Sequence, residues 1–371
     1  MEKGRISPMQ LGILVFMFVI SSATLLIPPL VTFYTKQDAW IVSIITMLVA
    51  LPVVWLYIAL GMRYPNLTLI EYTERILGKW FGKAVSSLFI FYFLIITATL
   101  LRQLGDMLVT LVLTDTPIQW VELLFFSLVV AAIRLGIEVS SRAAEIFFPW
   151  VLAFLLFLFV ALLPRIEWKN VQPIFESPLN MMAKGVFIHM GIPFFDLVIF
   201  LMIFPYVSDL RKAKKVYFVA MIAGSIIIVM VTLMSTLVLG ANLTGRSIYS
   251  VFELARSVDV GNFIQRIEVL VGGIWFITMF FKIAVCFYAS VLAIVQLFKL
   301  KHYKPLTFPL GMLVISLSMV MFSNTVDFRQ VARGLWTTSI MPYGLFFPII
   351  LLVVDSIKQR RAIKKGNPEN G

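Results

Sequence analysis

The sequence predicts an all-α polytopic membrane protein of ten transmembrane helices, arranged as an inverted five-plus-five repeat. Three observations predict it. Hydrophobic residues make up 60% of the 371 positions against 13% charged, with a mean hydropathy of +0.97, the balance of a chain solvated by lipid. Ten apolar runs are long enough for a helix to cross the hydrocarbon layer. Two of them, the first and the sixth, are interrupted where a spanning helix ought to be whole. Each opens a five-span half, and interrupted segments in corresponding places point to an inverted-repeat transporter fold with a site at the midplane.

The predicted spans are 7–33, 39–62, 81–113, 118–135, 145–163, 183–207, 216–241, 263–298, 308–322 and 337–357. The third and eighth are the longest and must tilt or project beyond the hydrocarbon. In the sixth, Pro193 removes a helical donor and Gly191 eases departure from helical φ/ψ, so Gly191, Ile192 and Pro193 mark an unwinding point. Freed backbone groups in lipid need protein or a wet cavity to receive them. The first span carries Ser21, Ser22 and Thr24 at its middle and Pro28-Pro29 beyond, and is expected to be broken as well. The polar connections are too short for an independent soluble fold, so the chain is one membrane domain. Its repeats are 1–164 and 181–358, followed by a basic tail at 359–371 that reads as a stop-transfer, lipid-facing segment.

Charge sets orientation. With the N-terminus inside, inner segments hold twenty of the Lys and Arg residues and outer segments ten, which places both termini in the cytoplasm. The net charge of +12 falls in short loops beside spans, where it meets anionic headgroups, so nucleic acid is excluded as a partner. Cys286 is the only cysteine and sits in an apolar run, which excludes a disulfide framework and a cysteine metal site. His189 and His302 have no second ligand at metal spacing, and no nucleophile–histidine–acid arrangement or phosphate loop exists, so no catalysis, metal or cofactor is expected.

Charged residues inside the membrane are functional candidates. Asp196 follows the break in span six, and Lys282 lies deep in span eight with no room to snorkel. Lys282 has three competing roles: a structural cation bonded to the unwound carbonyls of span one, a replacement for a coupling sodium between spans one and eight, or a contact to an anionic ligand. Arg102 and Asp106, four apart near the outer end of span three, share a helix face and read either as an outer gate or as a solvated interfacial pair. Arg266 and Glu268 cannot meet on one face and each needs its own partner. Residues 247–260 read as an amphipathic helix capping the outer vestibule, with Ile248, Val251, Phe252 and Ala255 on one face.

Several of these residues also carry a resemblance. Arg102-Gln103-Leu104-Gly105-Asp106, Thr116-Pro117, Gly136-Ile137-Glu138, Ser141-Arg142-Ala143-Ala144-Glu145 with Pro149, and Arg266-x-Glu268 followed by Trp275 resemble the spore germination protein B subunits of the GerAB type. Order and spacing together carry the likeness over almost the whole chain. The resemblance implies a LeuT-like fold shared with the amino acid-polyamine-organocation transporters, a nutrient germinant as ligand, A and C subunits as partners, and the inner membrane of the spore as location. It also places Lys282 on the ligand-facing stretch of span eight. The chain departs from the family where Ser22 and Thr24 stand in place of small glycines and Asp196 in place of the more usual glutamate.

The expected ligand site therefore gathers Ser22, Ala23, Thr24, Ile96, Thr97, Leu100, Gly191, Ile192, Pro193, Phe194 and Lys282, with Asp196, Arg102 and Asp106 in coupling or gating roles. Ile96, Leu100, Ile192, Phe194 and Phe195 make its apolar walls, suited to a small hydrophobic amino acid, while unwound backbone and the Ser22 and Thr24 hydroxyls orient the polar end. Two functions follow: a nutrient-sensing receptor subunit, or a proton-coupled amino acid transporter.

Overall fold

The computed structural model describes residues 4–257, 268–322 and 325–364. Its helices are α1 (Pro8–Thr35), α2 (Ala39–Arg63), α3 (Leu69–Leu77), α4 (Lys79–Leu111), α5 (Ile118–Leu135), α6 (Ile137–Leu162) and α7 (Leu179–His189) in the first part of the chain. Then come α8 (Leu210–Arg246), α9 (Ser250–Ser257), α10 (Glu268–Leu297), α11 (Thr307–Met321), α12 (Thr325–Gln330), α13 (Trp336–Met341) and α14 (Phe347–Lys364). Nine stretches among the described residues are long and apolar enough to cross a membrane, and the first, Pro8–Arg63, holds both α1 and α2. Ten crossings result, as the apolar runs predict.

Local chemistry sets the starts of these helices. Ser7 caps α1 through a reciprocal box with Gln10, and Pro8 takes the first helical position, where no donor is needed. Asp209 caps α8, and the Lys212 backbone N–H it accepts at 3.1 Å holds its carboxyl below the usual carboxylate range. The helix α3 is amphipathic, capped by a box of Thr68 and Glu71, and was not foreseen in a connection that reads as polar.

Helix α1 runs through the centre of the bundle, buried along almost its whole length and packed on α8, α10, α7 and α6. A two-bond parallel bridge ties its start to the end of the sixth crossing: Ile6 N–H donates to Tyr206 O at 2.9 Å and Ser208 N–H to Ile6 O at 3.0 Å. On the other side of the bundle, Asp38 between α1 and α2 accepts from Phe175 and Ser177 N–H at 2.8 and 2.9 Å, which fastens the first hairpin to the connection between the halves.

Several boundaries differ from expectation. The fifth crossing starts at Ile137 rather than 145, because Gly136 (φ 101°) turns the chain at once. The outer amphipathic helix is α9; Val251, Phe252 and Ala255 are buried as expected, but Ile248 precedes it and is exposed. Residues 258–267, including Arg266, lie outside the described residues, as does the end of the basic tail from 365. The tenth crossing is expected as a span over 337–357. It has π turns at Val331–Leu335 and Pro342–Phe346, with Gly334 at φ 153° inside the first.

Candidate ligand-binding site

The sixth crossing is broken at the residues that predict it. After α7 ends at His189, Met190–Phe194 forms a π turn with Ile192 extended (φ −136°, ψ 107°) and a cis peptide before Pro193. A 3-10 helix, Phe195–Met202, completes the crossing. Its freed carbonyls are received by protein. Tyr217 OH donates to Leu197 O at 3.0 Å, and Thr337 Oγ1 reaches Ile188 O at 3.3 Å. Tyr57 OH donates to Gly344 O at 2.5 Å, with Phe195 O a longer 3.4 Å away. Tyrosine and threonine hydroxyls thus do in the bilayer what water would do outside it. Gly191 is required by closeness as much as by freedom, since a Cβ there would lie 2.1 Å from Thr337 Oγ1.

The expected break in span one is not present. The helix α1 is continuous through Ser21, Ser22, Ala23 and Thr24 and through Pro28-Pro29. Ser21 and Thr24 hydroxyls bond back to Phe18 O (3.0 Å) and Ser21 O (3.1 Å) within their own helix. The two prolines deprive only the Thr24 and Leu25 carbonyls of donors, and no glycine stands between Ser21 and Pro29 to let the chain depart from helical φ/ψ.

Lys282 of α10 joins the two segments. Its ammonium donates to Ser22 Oγ at 2.7 Å, lies 4.5 Å from the centre of the Phe18 ring, and sits 3.5 Å from Asp196 Oδ2. Both side chains are shielded, at 0% and 3% exposure, so the pair is dry and its 3.5 Å spacing holds by charge more than by hydrogen-bond geometry. Tyr92 of α4 donates to the other carboxylate oxygen, Asp196 Oδ1, at 2.8 Å. Lys282 therefore meets a side-chain hydroxyl of α1 rather than unwound carbonyls.

A cavity of about 20 Å³ opens on this link, enough to hold a water molecule. Ser22, Ile96, Leu100, Ile192 and Asp196 line it, together with Leu26, Thr99 and Gln103 and, from the stretch around the tenth crossing, Phe322, Phe328, Val331, Ala332 and Trp336. Ile96, Thr99, Leu100 and Gln103 form one face of α4 at helical spacing. Lys282 stands behind Asp196, outside the lining. The remaining expected site residues pack nearby: Ala23 in the core, Thr97 with its hydroxyl on Phe93 O at 2.6 Å, Pro193 buried in the break, Phe194 against the His189 ring at 5.5 Å, and Phe195 against Gly344. Neither His189 ring nitrogen has a hydrogen-bond partner among the described residues. The contribution of the tenth crossing was missed, although Gly334, Pro342 and Gly344 were there to signal it.

Arg102 and Asp106 do pair, with Arg102 Nε donating to Asp106 Oδ1 at 3.1 Å. The pair is buried, not solvated, at 10% and 7% side-chain exposure.

Ten crossings around a centrally broken sixth helix, with ionisable groups and a cavity at the break, define a membrane protein with the fold of the inverted-repeat transporters. Two solved transporters share the fold: MhsT, determined in complex with L-phenylalanine (TM-score 0.71, 12% identity, 95% of this chain and 99% of that one), and Mhp1. Mhp1 is a nucleobase-cation-symport-1 family transporter, solved in a closed conformation with bromovinylhydantoin bound (TM-score 0.70, 14% identity, 92% of this chain and 77% of that one). Within this fold class the chain belongs to the spore germination protein family, whose family model matches residues 5–326. Spore germination protein KB of Bacillus subtilis (strain 168) is 31% identical over 100% of this chain and 99% of its own length. Spore germination protein YndE of the same organism is 25% identical, over 96% and 98%.

Proposed function

We propose that this chain is the nutrient-sensing integral membrane subunit of a spore germination receptor, binding a small molecule of the amino acid type at the cavity between the first, third, sixth and tenth crossings. The observation that carries the reading is Asp196, a carboxylate on the cavity wall held by Lys282, Tyr92 and the break itself. A ligand ammonium entering the cavity meets Asp196, and its side chain meets Ile96, Leu100, Ile192 and Trp336. The cavity has room for a water and not for an amino acid, so binding parts its walls. That strain falls on segments that are broken already, the sixth crossing at Ile192 and the tenth at Gly334. Lys282 crosses between α1 and the sixth crossing and reports the change by altered distances to Ser22 and Asp196. In this reading the chain works with A and C subunits in the inner membrane of the spore, both termini in the cytoplasm, and the division into halves 1–164 and 181–358 is the repeat division.

The test is the nutrient titration of spores carrying Ile96→Phe alongside the unaltered chain, with membrane abundance measured in both. The expected result is equal abundance and a germination response displaced to higher nutrient concentration. A superimposable titration removes the cavity from the reading. Uptake of labelled amino acids by proteoliposomes containing this chain alone separates sensing from transport, since concentrative uptake would favour the proton-coupled transporter.

A further inference from the structure

A second buried polar cluster lies on the other face of α4, where it meets α5 and α11. Glu122 of α5 is fully buried. Its Oε2 contacts Ser318 Oγ of α11, and its Oε1 lies so close to α4 that a Cβ at Gly105 would come within 2.9 Å of it. Arg102 and Asp106 stand on the same stretch of α4. Glu122 Oε1, Asp106 Oδ2 and the buried amide nitrogen of Gln103 have no hydrogen-bond partner among the described residues. Two carboxyl groups and one guanidinium thus stand on this stretch inside the membrane, with the guanidinium paired to Asp106.

Two counts bear on the state of Glu122. The first is of protons. Ser318 Oγ lies 2.7 Å from Ile315 O, a carbonyl that can only accept, and a serine hydroxyl has one proton to give. If that proton goes to Ile315 O, the hydrogen between Ser318 and Glu122 comes from the acid. The second count is of charge. Arg102 and Asp106 already balance, so an ionised Glu122 would leave an uncompensated charge in hydrocarbon, whereas a neutral one leaves none.

Among the described residues no other charge offsets it. Of the elements packed on α5, α11 carries no charged residue and presents Ser318. The helix α10 presents aromatic rings, Phe276 and Phe280 to Phe125 and Phe287 to Phe126, while Lys282 is turned to Ser22 and Asp196. On α6, Glu138 pairs with Arg142 at an exposed end, and Glu145 accepts from Gln10.

We infer that Glu122 is a proton-binding site, its carboxyl protonated and donating to Ser318, set against the Arg102–Asp106 pair and separate from the ligand cavity. The two sites stand back to back on one helix. Gln103 lines the cavity while its neighbours Arg102 and Asp106 face Glu122, so any shift of α4 at the cavity changes the surroundings of the acid. The inference does not depend on the identity of the nutrient or on the receptor reading.

The test is infrared spectroscopy of the whole chain in lipid vesicles at neutral pH, without nutrient. The protonated-carboxyl C=O band should lose intensity in Glu122→Gln, which keeps a donor toward Ser318, and should move to higher frequency in Ser318→Ala, which removes the acceptor. Glu122→Gln and wild-type spectra that superimpose in the protonated-carboxyl band would assign an ionised Glu122 and overturn the site. Should Glu122→Gln fail to reach the membrane, Ser318→Ala decides alone: a shifted band supports the site and an unmoved band overturns it.

Discussion

The first and sixth crossings occupy corresponding places in the two halves, both carry prolines and polar residues, and only one of them breaks. In the sixth, a glycine and a proline stand two apart, Ile192 takes extended dihedrals, and hydroxyls from other helices receive the carbonyls that are released. In the first, the hydroxyls belong to the helix itself and bond back within it, and the prolines come together near the end. A break in a membrane helix needs more than a residue that disfavours helix. It needs partners, supplied by other crossings, for the groups it frees.

The largest expected effect is at the residue that joins the two segments. Lys282→Met leaves Asp196 buried without its cation and should cost about 3 to 5 kcal/mol of stability, as breaking a buried pair from one side does. Lys282→Met with Asp196→Asn should recover most of that loss. Thermal unfolding of both in detergent checks it, and strictly additive losses would show that the two charges are not coupled.

Next comes the break itself. Gly191→Ala forces a methyl into Thr337 and should destabilise by about 1 to 3 kcal/mol, the range for overpacking a core. Adding Thr337→Gly should relieve it, and a Gly191→Ala protein as stable as its parent would mean that the sixth and tenth crossings are not in close contact.

The comparison is sharpest at Ala23→Gly in α1. A continuous helix loses about 0.5 to 1 kcal/mol on this change, whereas an unwound segment loses nothing or gains. Unfolding midpoints of the purified chain decide between them. The smallest effect should be at Ser21→Ala, within about 0.5 kcal/mol, because the hydroxyl it removes bonds only to its own helix. The same change at Ser22 removes a hydrogen bond to a charged group and should cost about 1.5 to 3 kcal/mol.

Much of this was legible in the sequence because its causes are local. Lipid solvation writes itself as unbroken apolar runs, and Gly191 and Pro193 act on their own backbone whatever surrounds them. Asp196 and Lys282 announce themselves as charges that need a reason to be in the membrane, though not as each other's partner. Glu122 was passed over because an acid near the start of a span resembles an interfacial residue, and only the packing of α4 and α11 around it shows it to be dry.

By itself, then, the sequence determined the crossings, the interrupted sixth helix and the presence of buried charge, since each follows from the free energy of short segments in lipid. The tertiary structure decided that α1 stays whole, that Lys282 reaches Ser22 and Asp196 across 260 and 86 residues of sequence, and that the tenth crossing helps to wall the cavity. Those outcomes depend on which polar groups from distant segments arrive within about 3 Å of one another, a condition on space that no local pattern encodes.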